Sequence, residues 1–548
     1  FVYSNSRQAS KNLNFGPLTQ AVQAISEEKG QGELLDAAVA LRDHISNPQE
    51  EAAALRGLLF TQFLGGSIAA GLVNMVQPIQ VTFPYLTQWG GVAKAASRMR
   101  KALARAVAWE SGTKTTGNKD LDKAIKAAED DGTISPQEVH QLMAQAGGAG
   151  SLRSGDGTRA GDMQAKASNL LSKVMLVWGK PFAAAEQFNR RATFIAAWET
   201  ATQEGIENPS EFARKAIADT QFVYNKGNKP KWARGAVGAT LFTFKIYSVS
   251  FVEMASRLAK NGPEGRRAAL VMLGMLVLIS GLQGLPGADD LDDVIDGLMQ
   301  RLGYSWSTAD RKQGIIKAAF GDALGEFVLN GLSGLPGAPI DVSNRLGLGN
   351  LIPGTGLLTK KEDYGRDVME ILGPAGSLAQ QVMSSAGKLV EGELGQAATA
   401  VLPVAGANLA KAIDMASMGM YRDKNGRKVV DTDGVDAVFK GVGFQPRDVA
   451  KVQESISVQN RLIAGNRMRE SEIADKWAQG MFESNPEKVR EAKQDLKRWN
   501  ESNPGMRIEI DNNQIVRRLR EMRLTRAQRL AKTAPAEIRR QVKEDLSR

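Results

Sequence analysis

The sequence predicts an all-α protein, mostly helical and built of many helices, elongated or multi-domain, with at most one or two short β-hairpins. Three observations carry that expectation. Apolar residues recur at spacings of three and four along most of the chain, the period of one helix face. Strand-like alternation is confined to Met506 to Ile510 and to the flanks of Asn425-Gly426, where Asn-Gly reads as a two-residue type I′ turn. Tyrosine, a strand-favouring residue, occurs only seven times in 548 residues.

Five regions are expected. Residues 1–110 read as a loop, an amphipathic helix and then an uncharged run of 37 residues from Gly57 to Ala93. Its first part, Leu58 to Val76, has the length of a helix of about 28 Å, close to a bilayer core of about 30 Å. Pro78 and Pro84 are expected to break that helix. Residues 111–165 are polar and Gly-rich, a surface insert with a capping box at Ser135-Pro136-Gln137-Glu138. Residues 166–300 form a helical core holding a second uncharged run, Ala268 to Ala288, whose helical part ends near Leu282. Residues 301–420 are helices punctuated by Gly and Pro. Residues 421–548 are a hairpin followed by a basic helical tail, with one helix starting at Asn485-Pro486-Glu487 and presenting Val489, Ala492, Leu496 and Trp499 on one face.

Composition limits the chemistry. Hydrophobic residues make up 43% of the chain and charged residues 24%, enough for real cores. The absence of cysteine excludes disulfides, thiolate zinc sites and cysteine nucleophiles. The net charge of +10 permits contact with nucleic acid or anionic lipid. Most of it lies in Asn512 to Arg548, where eleven Lys/Arg face four Asp/Glu. The first residue is Phe1, which reads as a processed product or a piece of a longer chain, and no signal peptide pattern opens it.

Apparent motifs dissolve on inspection. Gly349 to Thr355 has the glycine spacing of a phosphate loop but Thr355 where lysine is needed. Residues 127–139 resemble a calcium loop through Asp131, Gly132, Ile134 and Glu138, yet Ala127 takes the first ligand position. His44 and His140 are isolated. The acids Asp289, Asp290, Asp292 and Asp293 read as a solvated helix start. The stretch from Phe222 to Tyr247 mixes cations with aromatics and reads as a buried aromatic face with a basic rim rather than a single-strand platform. No residue is nominated as catalytic, metal-binding or cofactor-binding, and no cofactor is expected.

The Gly/Pro knots GLQGLPG (281–287) and GLSGLPG (331–337) read as chain reversals. The two apolar runs carry more weight. Leu58, Phe60, Phe63, Leu64, Gly66, Ala70, Gly71, Leu72 and Val76 in the first, and Leu270, Leu273, Leu276 and Leu278 in the second, are candidates for membrane or tight inter-helix contact. Gly66/Ala70 and Ser67/Gly71 place small residues four apart, which favours close helix approach. Thr61, Gln62 and Asn74 are polar for a lipid-facing span, which favours a buried helical hairpin that inserts in a second state.

Several stretches, in order, resemble one family: 65–86, 186–205, 228–247, GLQGLP, PIDVSNRLGLGNLIPGT (339–355), GFQPRDVA (443–450) and WNESNP (499–504). Together they resemble the C-terminal region of the large internal virion (DNA-ejection) proteins of short-tailed phages and prophages, those with a PLxRFG-type domain. The motif is matched as Asn344-Arg345-Leu346-Gly347, with Leu in place of Phe. Pro286, Pro336, Pro339, Asp341, Arg345, Gly347, Gly349 and Pro353 are the family-motif and turn positions.

The resemblance implies a structural, non-enzymatic protein packed in the capsid near the portal, then released to help form a trans-envelope conduit for genome delivery. It implies a homo-oligomer, with the portal and other internal core proteins as partners and the host envelope membrane as its later setting. Arg517, Arg518, Arg520, Arg523, Arg526 and Arg529 are candidates for non-specific contact with packaged double-stranded DNA or an acidic partner. Two alternatives stand beside it. One is an integral-membrane protein with two spans, disfavoured by a mean hydropathy of −0.26. The other is an enzyme, such as a nuclease or a wall-degrading hydrolase, with an unrecognised site.

Overall fold

The structure is a computed structural model, and it describes residues 2–27, 32–46, 53–135, 179–222, 231–242, 245–302, 304–351, 373–390, 402–423 and 426–524. The fold is all-α. Two short antiparallel strand pairs are its β content among the described residues: β1 (Ile340–Asp341) with β4 (Gln445–Pro446), and β2 (Met420–Arg422) with β3 (Lys428–Asp431). The chain divides into two compact units. The first takes Phe1–Gly287, Glu326–Pro353 and Val368–Ala450; the second takes Ala288–Gly325, Gly354–Asp367 and Lys451–Arg548.

The first unit opens with α1 (Val2–Glu27) and α2 (Gly32–Ser46), so the chain start is helical rather than the expected loop. There follow α3 (Ala53–Phe63), α4 (Ile68–Asn74), α5 (Phe83–Leu86), α6 (Gly91–Ala108) and α7 (Lys119–Asp130). The central helix is α8 (Lys180–Glu204). Pro181 stands in its first turn, where the missing N–H costs nothing, and left-handed Gly205 ends it. Phe194, Ile195, Ala196 and Ala197 are buried in succession, so α8 is enclosed on all sides. Around it lie α9 (Pro209–Thr220), α10 (Gly235–Leu241), α11 (Ile246–Lys260) and α12 (Gly262–Ser280). The buried apolar cluster links α6, α7, α8, α9, α11 and α12 through Met99, Ile125, Phe194, Ile217, Phe251 and Met272.

The run from Leu58 to Val76 is not one helix. It breaks between Phe63 and Ile68, and the segments on either side are bent by 96°. The cause is local: Gly66 has φ +67°, and the Ser67 side chain accepts the Ala70 N–H and so starts α4 anew. The prolines act opposite to expectation. Pro78 opens a π-helical turn (Pro78–Thr82) and Pro84 sits in the first turn of α5, so the chain stays helical through both.

The two glycine knots are turns, as the sequence indicates, and they press against each other. Each is a 3-10 turn after a long helix, at Leu282–Gly284 after α12 and at Gly331–Gly334 after α14 (Thr308–Asn330). Gly281 has φ +73°, and a Cβ there would collide with the Leu329 carbonyl and the Asn330 nitrogen. Reciprocally, Gly331 has φ +59°, and its Cβ would sit 2.5 Å from the Ile279 carbonyl carbon and 2.6 Å from the Gly281 nitrogen. Gly347, which closes α15 (Ser343–Leu346), is the third layer, with a Cβ position 2.8 Å from Gly284 Cα.

The rest of the first unit comprises α16 (Gly373–Val390), α17 (Val404–Met418), the β2–β3 hairpin and α18 (Gly434–Val442). The hairpin forms where expected, but its loop is longer than a two-residue turn. The Asp423 N–H donates to the Arg427 carbonyl at 2.9 Å, and Gly426 has φ +78°.

In the second unit α13 (Ala288–Arg301) and the first part of α14 accompany α19 (Arg447–Phe482) from Lys451 onward, α20 (Pro486–Ser502) and α21 (Asn512–Met522). Helix α20 begins as the sequence predicts: the Asn485 side chain accepts the Glu487 and Lys488 N–H groups, and Ala492 and Trp499 are buried. Met506 to Ile510 forms no strand: Met506 is a bend and 507–510 carry no regular structure. The Asn500 side-chain amide takes the place of a neighbouring strand, accepting from Ile508 N at 2.7 Å and donating to its carbonyl at 3.0 Å.

Substituting Gly281→Ala or Gly331→Ala is expected to lower stability by about 3 kcal/mol or more, combining backbone strain with overpacking. Gly274→Ala, in the open interior of α12, is expected to raise it by about 0.5–1 kcal/mol. Denaturant unfolding of the three variants checks the contrast.

Candidate functional site

The centre of the first unit is polar as well as apolar. Arg191, midway along α8, is 1% exposed. Its guanidinium pairs with Glu110 on the π-helical turn that continues α6 (Trp109–Thr113) and with Glu129 on α7 at 2.7 Å. Burial alone brings Arg191 down to about 10. Arg190 binds Glu186 at 2.9 Å, and Arg105 pairs with buried Glu199. A second layer is neutral. Thr193 meets Thr82 at 3.0 Å, Thr82 meets Thr220 at 2.9 Å, and the Gln221 amide donates to Thr193 at 2.9 Å.

This layer explains the polar residues in the first uncharged run. The Asn189 amide on α8 donates to the Asn74 carbonyl at 2.7 Å. Gln77 donates to the Thr220 carbonyl at 3.1 Å, and Gln80 to the Leu346 carbonyl at 3.3 Å while accepting from the Tyr247 hydroxyl at 3.2 Å. Gln62 donates to Gln381 and to the Leu402 carbonyl, and the Thr61 hydroxyl to the Gly57 carbonyl. The segment is therefore docked by directed hydrogen bonds as well as by apolar burial.

Between α4 and the α6–α8 pair lies an open apolar groove of about 530 Å³, lined by Ile68, Gly71, Leu72 and Met75 on one side and by Val107, Glu110, Ala184 and Phe188 on the other. The small-residue spacing does allow close approach: Gly71 lies under Pro181, whose carbonyl oxygen is 3.0 Å from the position of a Gly71 Cβ. Ser67 stands against Gly443. Of the candidate contact residues in this run, Phe60 and Gly71 are buried, Phe63, Leu64, Gly66, Ala70 and Val76 are half-buried, and Leu58 and Leu72 are exposed. On α12, Leu276 is buried, Leu273 half-buried, and Leu270 and Leu278 exposed, so the helix hides one face and shows the other.

The motif residues have structural duties. Pro286 and Pro336 follow the 3-10 turns. The Pro339 carbonyl accepts the Arg447 N–H at 3.1 Å, which extends the β1–β4 pair. Asp341 starts α15 by accepting from Ser343 N at 2.9 Å and from its hydroxyl at 2.6 Å. Arg345 donates to the Gly443 carbonyl. Gly347 packs on Gly284, Gly349 is buried, and Pro353 lies outside the described residues, as do Gly354 and Thr355.

The acids after the first knot are only in part a solvated helix start: Asp289 is exposed and Asp293 half-buried, but the others are not. Asp290, Asp292 and Asp296 of α13 are buried; Asp292 binds Lys312 at 2.5 Å, and Asp296 accepts the Thr308 N–H at 2.6 Å. The apolar residues of the same helix, Leu291, Val294 and Leu298, are exposed instead. Asp131 of the calcium-like stretch is held by Thr133 and by Arg214 at 2.7 Å, while Glu138 and His140 lie outside the described residues. In the aromatic-basic stretch Phe222 is buried against Tyr247, but Trp232 is half exposed against Phe242.

In the tail, α21 turns Arg518 inward to Asp475 and Ser471 of α19, and leaves Arg517, Arg520 and Arg523 exposed. Arg526 and Arg529 lie outside the described residues. No group of His, Asp and Glu among the described residues is placed to hold a metal ion. No known protein family matches the chain, and neither does any curated protein or solved structure.

Replacing both Glu110 and Glu129 by Gln leaves the Arg191 charge buried without a counterion, and is expected to cost about 3–5 kcal/mol. Arg191→Met removes the buried charge while its carboxylates, both partly exposed, regain water, and is expected to cost less. Equal or reversed losses in chemical denaturation would refute this ordering.

Proposed function

We propose that this chain is a structural internal virion protein of a tailed phage, packed near the portal and released to help build a conduit for genome delivery across the host envelope. The sequence resemblance suggests the setting. The observation that supports it most is the inside-out character of α13 and the first part of α14. Buried acids line the inner side of α13, while Leu291, Val294, Leu298 and Leu302, together with Ile315, Phe320 and Leu324, face out. An exposed apolar surface of this kind marks a face that is covered in another assembly or by lipid. The first apolar run supports the same reading. No single described helix is long and apolar enough to cross a membrane, but the bent pair Leu55–Phe63 and Ile68–Leu86 passes that test by length and composition. In this proposal the protein acts as a homo-oligomer beside the portal and other core proteins. Its exposed Arg517, Arg520 and Arg523 touch packaged DNA without reading sequence.

Liposome flotation with mass determination, before and after mild unfolding, tests the conduit. The expected result is flotation and a defined ring or tube only after unfolding, weakened by Leu291→Lys with Leu298→Lys. A soluble monomer under both conditions overturns it. The DNA contact is tested by the salt dependence of duplex binding by the whole chain. Changing Arg517, Arg520 and Arg523 to Glu is expected to flatten the log–log slope by about 0.9 for each phosphate no longer neutralised. A slope already flat in the unmodified protein removes DNA as a partner.

A further inference from the structure

Three cations from three separate elements of the first unit gather around two aromatic rings. Lys411 of α17 and Lys440 of α18 hold their ammonium groups 4.8 and 5.9 Å from the ring centroid of Tyr421 on β2. Arg345 of α15 donates to the Gly443 carbonyl just past α18, with its guanidinium 5.9 Å from the Phe444 ring. Lys440 also donates to Gln445 Oε1 at 2.7 Å. Arg345 is exposed, and Lys411, Tyr421 and Lys440 are half-buried, so the cluster is open to solvent.

Among the described residues the charges around Lys440 do not balance. Asp414 and Asp423 favour the charge on Lys411 and Arg422 opposes it. The charges acting on Lys440 are Arg345 and Lys411, both of its own sign. Asp436, one turn earlier on α18, faces Asp433 and Asp448. Burial first, and then Arg345 and Lys411, bring the Lys440 ammonium down to about 8. Capping of the α18 C-terminus accounts for Arg345, which reaches a carbonyl at that end. It does not account for Lys411, which comes from another helix and is directed at a ring.

We propose that Arg345, Lys411 and Lys440 form a binding site for one phosphate-class oxyanion, carried by free phosphate or by a lipid headgroup. The guanidinium fork matches two oxygens of such a group, and the two ammonium groups supply rotatable donors for the others. The anion relieves the repulsion among the cations, and Tyr421 fixes where the two lysines stand.

The test uses the whole chain and inorganic phosphate, against chloride at matched ionic strength. Calorimetric melting is expected to show a saturable rise in Tm. Lys440→Met and Lys411→Met are each expected to bind phosphate about tenfold more weakly, the loss of one charge-assisted bond. A second measurement needs no variant. Acylation of Lys440 near pH 8, followed by mass spectrometry, is expected to slow in phosphate, because the anion holds the ammonium protonated. Phosphatidylglycerol vesicles distinguish the sources. Flotation with them, but not with phosphatidylcholine, that free phosphate competes away assigns the site to a headgroup; a phosphate response without flotation assigns it to the free ion. No saturable shift, or unchanged Lys440 reactivity in phosphate, leaves helix capping alone and overturns the proposal.

Discussion

The first unit is organised around one guanidinium that has almost no access to water. Arg191 cannot be stable there without counter-charge, since an unpaired buried ion costs several kcal/mol. The two carboxylates that answer it come from different places, Glu110 at the end of α6 and Glu129 near the end of α7. The requirement therefore fixes more than a pair of side chains. It sets where the π-helical turn after α6 must lie, how α7 returns, and which face α8 presents. Apolar packing alone permits several rotations of a helix as enclosed as α8, whereas a buried charge permits one.

The same logic governs the uncharged run from Gly57 to Ala93. Its amides and hydroxyls are directed at backbone carbonyls and at a threonine layer, each bond contributing about 1 kcal/mol net. Held this way, the segment belongs to the core in this state, and the groove beside it marks where its cover is thinnest. On α13 the pattern is reversed, with acids inward and leucines outward. The two devices are complementary: one hides polar groups that an apolar segment carries, and the other displays apolar groups that a polar segment carries.

Much of the fold was legible in the sequence. The helical class, the start of α20 at Asn485, the hairpin near Gly426 and the role of the knots as turns all follow from residues within a few positions of one another. What was not legible depends on distant partners. Gly66 looks like a packing residue until its φ is known to be positive. Asp292 looks solvated until Lys312 is brought to that side of the helix, and Asp296 until the Thr308 backbone is. The pairing of Ile340–Asp341 with Gln445–Pro446 joins dipeptides a hundred residues apart, and neither alternates long enough to announce a strand. Arg345 drew attention as part of a motif, but its neighbours Lys411 and Lys440 carry no local signal, because only the fold sets them around Tyr421.

The crossing of the two knots has a consequence for how this chain can change over time. Gly281 and Gly331 stand fifty positions apart, each occupying the space that a side chain on the other segment's backbone would need. A methyl group on either side meets main chain, which cannot be trimmed by a second mutation nearby. The two positions are thus tied to a common fate: both remain glycine, or both segments separate and repack together. The doubled GL-x-GLPG signature is the trace of that constraint, and it is expected to outlast the divergence of the helices that lead into it.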